Sequence, residues 1–403
     1  VTQPISSTSS QRSILLLCVG AALFEGFDNQ SMGVAAPKLI PAFGLSPVET
    51  SWVFSAATIG LFVGAIVGGR LSDLIGRRQV LIGSMLVMGA CSLWTAVAAN
   101  LEILLLARLL TGLGLGGAMP NFIALSAEAV EPSRRVATVT AVTAALPLGG
   151  AVAGLIALTQ SIGWDWRAIF YVGGIGPIVL ALAMIPGVRE SRTRELAGER
   201  STVNAPVPSM SEALFGGGRS LTTLQLWLGF FFAQMVLLLM LNWLPTLFVG
   251  LRFSHAQASW ASILFNVSGA FVGMLLARRC VGPDRRMWIV LTYGGIAAAL
   301  MLLPAASTFA LAAIACALAG ATIIGAQLIL YASAPLYYEK AIRGTGVGAA
   351  VGIGRLGSIF GPLYGGIMLA VGGASTAVLL GTIPFVLVGG GATLALSRRP
   401  HAA

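Results

Sequence analysis

Charge is scarce in this chain, and three places where it stands inside apolar sequence could do chemistry. The first is FEGFDNQ, Phe24 to Gln30, which follows ILLLCVGAAL and sets Glu25 and Asp28 three residues apart. On a helix that spacing is about 60° of rotation, so the two carboxyls share a face. Like charges so close cannot both ionise cheaply in a low dielectric, which suits one of them to carry a proton. The second place is Arg108, in ARLLTGLGLGGAMP, and the third is Arg355, in GTGVGAAVGIGRLGSIFGP. A buried guanidinium can hold a carboxylate of its own chain. Its planar fork can equally take a ligand carboxylate through two parallel hydrogen bonds, a geometry that lysine does not reproduce.

Placing these groups requires the elements that carry them. Of 403 residues 57% are hydrophobic and 9% are charged, with 51 glycines. That composition excludes a water-soluble globule and marks an integral membrane protein. A helix needs roughly 20 apolar residues to cross a hydrocarbon core of about 30 Å. Period-2 alternation is absent, which argues for helices and against a barrel. Twelve spans are expected, near residues 14–40, 51–71, 79–99, 102–128, 136–160, 168–188, 221–248, 257–277, 286–304, 308–337, 344–370 and 375–396. Both ends then lie on one side. Of the 24 lysines and arginines, only Lys38, Arg167 and Arg252 fall on the other side, with Arg108 and Arg355 inside spans. This asymmetry makes the termini cytoplasmic and accounts for the +10 net charge without any nucleic-acid partner. The opening VTQPISSTSSQRS reads as a polar tail and not as a signal peptide. Cys18, Cys91, Cys280 and Cys316 form no CxxC pair, so neither a disulfide nor a metal site is expected. The expected organisation is a tail over 1–13, a six-helix half over 14–188, a linker over 189–220, a second half over 221–396, and a tail over 397–403.

Depth along the spans decides which charges can meet. Asp28 lies roughly 21 Å from the cytoplasmic start of the first span at 1.5 Å per residue. Counting down the fourth span puts Arg108 at roughly the same depth in a core of about 30 Å. Arg355 sits roughly 18 Å deep in the eleventh. Asp28 is therefore expected to pair with Arg108 when ionised and to release it when protonated, with Glu25 beside them. The alternative is a fixed pair that only orients two helices. Arg355 is the candidate for a substrate anion, and Asn242, Asn266, Gln327 and Tyr331 are the candidates around it, the last two sharing a helical face. Tyr337 and Tyr338 are expected at the headgroup level.

Shifting the chain by 208 residues superposes Pro37 on Pro245, Ser51-Trp52 on Ser259-Trp260, Arg70 on Arg278 and Arg77-Arg78 on Arg285-Arg286. Gly112 falls on Gly320, Gly117 on Gly325 and Arg135 on Arg343. Two parallel repeats with a cavity between them near the midplane are expected. GGRLSDLIGRR, Gly68 to Arg78, resembles the loop motif after the second span of the major facilitator superfamily, with Gly69, Asp73, Gly76, Arg77 and Arg78 at its positions. ARLLTGLGLGGAMP resembles that superfamily's fourth-span motif. More narrowly, EGFD, NWLP at Asn242 to Pro245, and GTGVGAAVGIGRLGSIFGP resemble the aromatic acid:proton symporters. The second copy of the loop motif, ARRCVGPDRR, has Val281 where the repeat predicts the counterpart of Asp73.

The resemblance implies an all-α membrane protein of twelve helices in two six-helix halves. It implies a cytoplasmic gate in which Asp73, Arg77, Arg78 and Glu128 latch the halves in the outward-facing state. It also implies a proton-coupled importer of a small aromatic carboxylate, such as a hydroxybenzoate or a hydroxyphenylpropionate, working by alternating access as a monomer in a bacterial inner membrane. No cofactor or metal is implied. An efflux antiporter is the alternative, but ALPLGG in the fifth span lacks the glycine before proline found in proton antiporters, which favours symport. An enzyme is disfavoured because the histidines are His255 and His401 alone. A receptor is disfavoured for want of a long signalling loop.

Overall fold

The computed structural model describes residues 8–159, 163, 165–187, 209–280, 284–339 and 342–399. The extreme tails, most of the expected linker and Val281 lie outside the described residues. All regular structure among the described residues is helical. The spans are α1 (Thr8–Phe43), α2 (Pro47–Ile75), α3 (Arg77–Ala96), α4 (Leu101–Glu128), α5 in two segments (Arg135–Thr143 and Ala145–Leu158) and α6 (Arg167–Gly187). The second half holds α7 (Ser220–Gly250), α8 (His255–Arg279), α9 (Arg285–Ala305), α10 (Phe309–Ser333), α11 (Arg343–Ala370) and α12 (Ser375–Leu396). Eleven of them, α2 to α12, are long and apolar enough to cross a membrane on length and composition. The remaining helix, α1, is the longest at 36 residues, but its EGFDNQ stretch dilutes its hydropathy.

The repeat is visible in how the helices begin. Ser46 opens α2 with a capping box: its hydroxyl accepts from the Glu49 N–H at 3.3 Å, and Glu49 accepts from the Ser46 N–H at 2.8 Å. Residues 208 further on, Ser254 and Gln257 do the same for α8 at 3.2 and 2.9 Å. Asn100 caps α4, and its counterpart Thr308 caps α10. Helix starts accordingly recur at one offset: Pro47 and His255, Arg77 and Arg285, Leu101 and Phe309, Arg135 and Arg343, Arg167 and Ser375.

Packing repeats as well. A methyl group on Gly112 of α4 would land on the Ala57 carbonyl oxygen of α2, and one on Gly320 of α10 would land on the Phe265 carbonyl of α8. Gly149 of α5 stands in the same way against Leu23 of α1, and Gly357 of α11 against Phe231 of α7. With no water inside lipid to drive apolar helices together, such backbone contacts supply the dispersion energy that side chains would block. Large apolar residues such as Ile66, Val179, Leu275 and Leu387 face outward from the bundle, as a lipid surface requires. Trp52 and its counterpart Trp260 are half-exposed near the starts of α2 and α8, where indoles anchor helices at the headgroups.

Alternation of twelve spans puts the start of α1 and the end of α12 on one face, the termini face. The contacts that join the two halves lie toward the opposite, far face. Gln30 of α1 donates to the Leu241 carbonyl of α7 at 2.9 Å, and Ser55 of α2 to the Ile359 carbonyl of α11 at 3.1 Å. The Phe54 and Trp243 rings meet edge to face at 5.0 Å. Gly33 abuts α7, Gly366 abuts the Pro47 carbonyl, and Gly154 of α5 abuts Ile263 of α8. Among the described residues no hydrogen bond, ion pair or ring contact joins the halves nearer the termini face than the contact of Arg355 with Met119 at mid-helix. Among the described residues the contacts that join the halves therefore lie at mid-depth and toward the far face.

One expectation is corrected. Tyr338 is wholly buried, with its hydroxyl 2.9 Å from that of Thr223 and Gly346 against its ring, and Tyr337 is buried beside it. The 3-10 segment Ala334–Tyr337 follows α10, and both rings pack into the bundle instead of lying exposed at its edge.

Candidate functional site

Asp28 and Arg108 meet as depth counting requires. Nη1 and Nη2 of Arg108 donate to Oδ1 and Oδ2 of Asp28, each at 2.9 Å, a fork-to-fork pair between α1 and α4. The two residues are 2% and 1% exposed, and the guanidinium carbon stands 5.9 Å from the Phe170 ring of α6. A pair this dry contributes little net stability, because desolvating both ions offsets their attraction, but losing one partner is costly. Glu25 lies on the same face of α1, is 2% exposed, and its Oε2 has no hydrogen-bond partner. Asp28 and Arg355 are the charges that act on it electrostatically.

Arg355 of α11 is half-buried and reaches across to the other half, where its Nη2 stands 3.3 Å from the Met119 sulfur of α4. A thioether is a weak acceptor, and no carboxylate lies within ion-pair distance of Arg355 among the described residues. This guanidinium thus points into the space between the halves without a counter-ion in contact.

The four other substrate candidates divide. Gln327 is 6% exposed with neither its oxygen nor its nitrogen hydrogen-bonded, and Tyr331, one turn away on α10, stacks edge to face on Phe230 of α7 at 5.2 Å. Asn242 instead donates to the Leu238 carbonyl of its own helix at 2.8 Å. Asn266 donates to the Ser262 carbonyl and to Gln30 Oε1, both at 2.9 Å. Gln327 and Tyr331 of α10 and Arg355 of α11 lie nearer the termini face, whereas Asn242 and Asn266 sit among the far-face contacts. Two polar residues that sequence reasoning passed over belong to the same region. Gln30 links α1 to both α7 and α8, and Gln234 of α7 is buried with its Oε1 unpartnered. The only signal for Gln234 was an amide inside the apolar run FFFAQMV.

The loop motif lies at the termini face. Gly76 closes α2 and opens α3 at φ +100°, a conformation that side chains disfavour, which accounts for glycine there. Arg77 pairs with Glu128, and Arg78 donates to the Ile185 carbonyl. Both contacts lie within the first half. Asp73 is exposed with no ion-pair partner among the described residues, and Gly69 abuts nothing. Among the described residues none of these makes a hydrogen bond or ion pair to the second half.

The profile described as Major Facilitator Superfamily matches residues 18–362. The chain is 39% identical over 398 residues to the 3-(3-hydroxy-phenyl)propionate transporter of Escherichia coli (strain K12), covering 98% of this chain and 96% of that protein. It is 34% identical to the gallate transporter of Pseudomonas putida, over 89% of this chain and 86% of that one. The 4-hydroxybenzoate transporter PcaK of the same organism is 32% identical, with 92% and 88% covered. Among solved structures, the Escherichia coli xylose transporter XylE in a partially occluded inward open conformation superposes with a TM-score of 0.76 at 16% identity, over 98% and 99% of the two chains. A bacterial homologue of the human lysosomal transporter Spinster, in an inward-facing conformation, gives 0.74 at 18%, with 98% of each chain covered. At such identities the likeness is one of fold.

Proposed function

The chain belongs to the major facilitator superfamily, and from that premise we propose that it imports a small aromatic carboxylate together with protons by alternating access. The observation that carries this reading is Arg355, a guanidinium with no carboxylate partner aimed into the space between the halves. The proton machinery stands opposite, in the Asp28–Arg108 pair and the unpartnered Glu25. The relatives named for aromatic acids support the substrate class.

On this reading both termini are cytoplasmic and the chain faces inward, with Asp28 ionised and Arg108 closed on it. Once the chain has returned to the outward-facing state, protonation of Asp28 from the outer side neutralises its carboxylate and frees Arg108. The substrate carboxylate engages Arg355, and the halves rock about the seal formed by α1–α7, α2–α11 and α5–α8. In the outward-facing state the cluster of Gly69, Asp73, Gly76, Arg77, Arg78 and Glu128 closes on the second half. The protein works as a monomer and needs neither cofactor nor metal.

Proteoliposomes with an acidic exterior test the reading. Accumulation of 3-(3-hydroxyphenyl)propionate beyond that of protein-free liposomes is expected, with substrate-dependent internal acidification recorded by an entrapped pH dye and loss of accumulation once a protonophore has collapsed the gradient. Accumulation that survives the protonophore would remove proton coupling, and internal alkalinisation would replace symport by antiport.

A further inference from the structure

We propose that the side-chain amides of Gln234 and Gln327 form a subsite for a ring hydroxyl, so that this transporter selects hydroxylated over bare aromatic carboxylates. The proposal rests on the importer reading and adds the group that reads the ring's substituent.

The two amides belong to different helices, and three observations bring them level. Phe230 of α7 and Tyr331 of α10 meet with ring centroids 5.2 Å apart, and a methyl on Gly229 would stand 3.0 Å from Leu330. These contacts fix the register of the two antiparallel helices. Gln234 follows Phe230 by four residues and Gln327 precedes Tyr331 by four, so each amide lies one turn, about 6 Å, further toward the far face than the aromatic pair. Gly354 of α11 packs on Gln234, its absent Cβ falling 3.3 Å from Gln234 Cγ, and the next residue along α11 is Arg355. The 208-residue repeat supplies the third relation. Gln327 is the counterpart of Met119, and Met119 is the residue that Arg355 touches. Guanidinium and amides therefore share one depth where α7, α10 and α11 adjoin.

Both amides are 6% exposed, and neither Gln327 atom nor Gln234 Oε1 has a hydrogen-bond partner. Buried polar atoms left in that condition are costly unless something occupies them part of the time. A phenolic hydroxyl donates one hydrogen bond and accepts others, which is what an amide oxygen and an amide nitrogen offer it. No ion-pair partner touches either amide, so the site is neutral and matches a phenol rather than a second carboxylate or an amine. With the carboxylate on Arg355 and the hydroxyl on the amides, the ring lies between them beside Phe230 and Tyr331. A bare ring would bury the same amides with their demand unmet. If instead the two amides turned to bond each other, the site would be self-sufficient and blind to the hydroxyl.

Uptake of labelled 3-phenylpropionate into proteoliposomes, competed by unlabelled 3-(3-hydroxyphenyl)propionate or unlabelled 3-phenylpropionate, separates these cases because the two acids share the carboxylate that engages Arg355. Wild type is expected to prefer the hydroxylated acid by roughly tenfold to a hundredfold. Gln327→Leu and, independently, Gln234→Met are expected to bring the ratio within about threefold of unity. Two variants on different helices keep the test open if one fails to fold, which thermal melts would reveal. A wild type that treats the acids alike, or a preference that survives both substitutions, overturns the subsite while leaving the importer reading intact. Uptake of neither acid by well-folded wild type overturns the importer reading and the subsite with it.

Discussion

Neutralising Asp28 and Arg108 singly and together distinguishes a proton switch from a brace. In Asp28→Asn the Arg108 guanidinium keeps one acceptor, the amide oxygen, but loses the second of its two 2.9 Å hydrogen bonds and its counter-charge at a place only 2% exposed. Its nearest alternative acid is Glu25, three residues back on α1, which would have to swing a longer side chain over. An uncompensated charge in such a site costs about 3–5 kcal/mol. Arg108→Gln strands the Asp28 carboxylate at about the same cost, although a carboxylate can recover part of it by taking a proton. The double variant Asp28→Asn/Arg108→Gln leaves two amides of similar shape that can bond each other, and replacing both members of a buried pair is close to neutral. Graded unfolding in mixed detergent micelles should therefore show both single variants destabilised and the double variant near wild type, a coupling of about 3 kcal/mol or more. Transport then decides the role. The double variant should exchange labelled for unlabelled substrate across proteoliposomes, since exchange needs no net proton movement, yet fail to accumulate substrate against its gradient at an imposed pH difference. If the stable double variant accumulated substrate as wild type does, Asp28 and Arg108 would be a structural brace and the switch would have to be sought elsewhere.

Arg355→Lys keeps the charge but loses the planar fork, and should raise the half-saturation concentration for uptake by about tenfold or more, the worth of one charge-assisted hydrogen bond; an unchanged value would mean that no carboxylate is held there. Gly149→Ala and Gly357→Ala each drive a methyl into a backbone carbonyl of the facing helix, so both should lower stability by about 1–3 kcal/mol in the same micelle assay. Gly69→Ala, where a Cβ meets nothing, should be neutral or slightly stabilising, and equal stability of all three variants would refute the reading of the crossings.

Depth was legible in the sequence and rotation was not. Residue counting along α1 and α4 brought Asp28 level with Arg108, and the pair forms, because a rise of 1.5 Å per residue leaves little freedom along a membrane helix. The halves were legible for a related reason. Capping residues recur with the repeat, Ser46 with Ser254 and Asn100 with Thr308, and they set helix starts at the same offset. Which way an amide faces around its helix depends on neighbours that no count reveals. Asn242 and Asn266 stand at usable depths, yet their own helices' carbonyls, and for Asn266 also Gln30, occupy them. Tyr337 and Tyr338 failed for another reason: both stand at the termini-face end of α10, but neighbours from other helices, such as Thr223 and Gly346 around Tyr338, bury the rings.

The repeat also bears on how one ancestral crossing came to serve two chemistries. Glu25, Asp28 and Arg108 fall on Ala233, Val236 and Cys316 in the second half, while Arg355, Gln327 and Gln234 fall on Pro147, Met119 and Gly26 in the first. Each polar group thus faces an apolar counterpart, or none, across the pseudo-symmetry axis. The last pair explains how Gln234 is accommodated. In the first half α1 approaches α5 through Gly26, whose missing side chain makes room for the Leu146 carbonyl. In the second half the counterpart of Leu146 is Gly354, and it is this glycine on α11 that makes room for Gln234 on α7. Transferring the glycine from one helix of the crossing to the other preserves the close approach and releases position 234 to carry a side chain. The crossing constrains the pair of positions together, so Gly354→Ala should disturb Gln234 before it disturbs the helices. A Cβ there meets side chains, the Gln234 Cγ at 3.3 Å and Phe230 at 3.4 Å, whereas one at Gly26 meets fixed backbone. In the competition assay Gly354→Ala should therefore weaken the preference for the hydroxylated acid while leaving stability close to wild type, and Gly26→Ala should lower stability first.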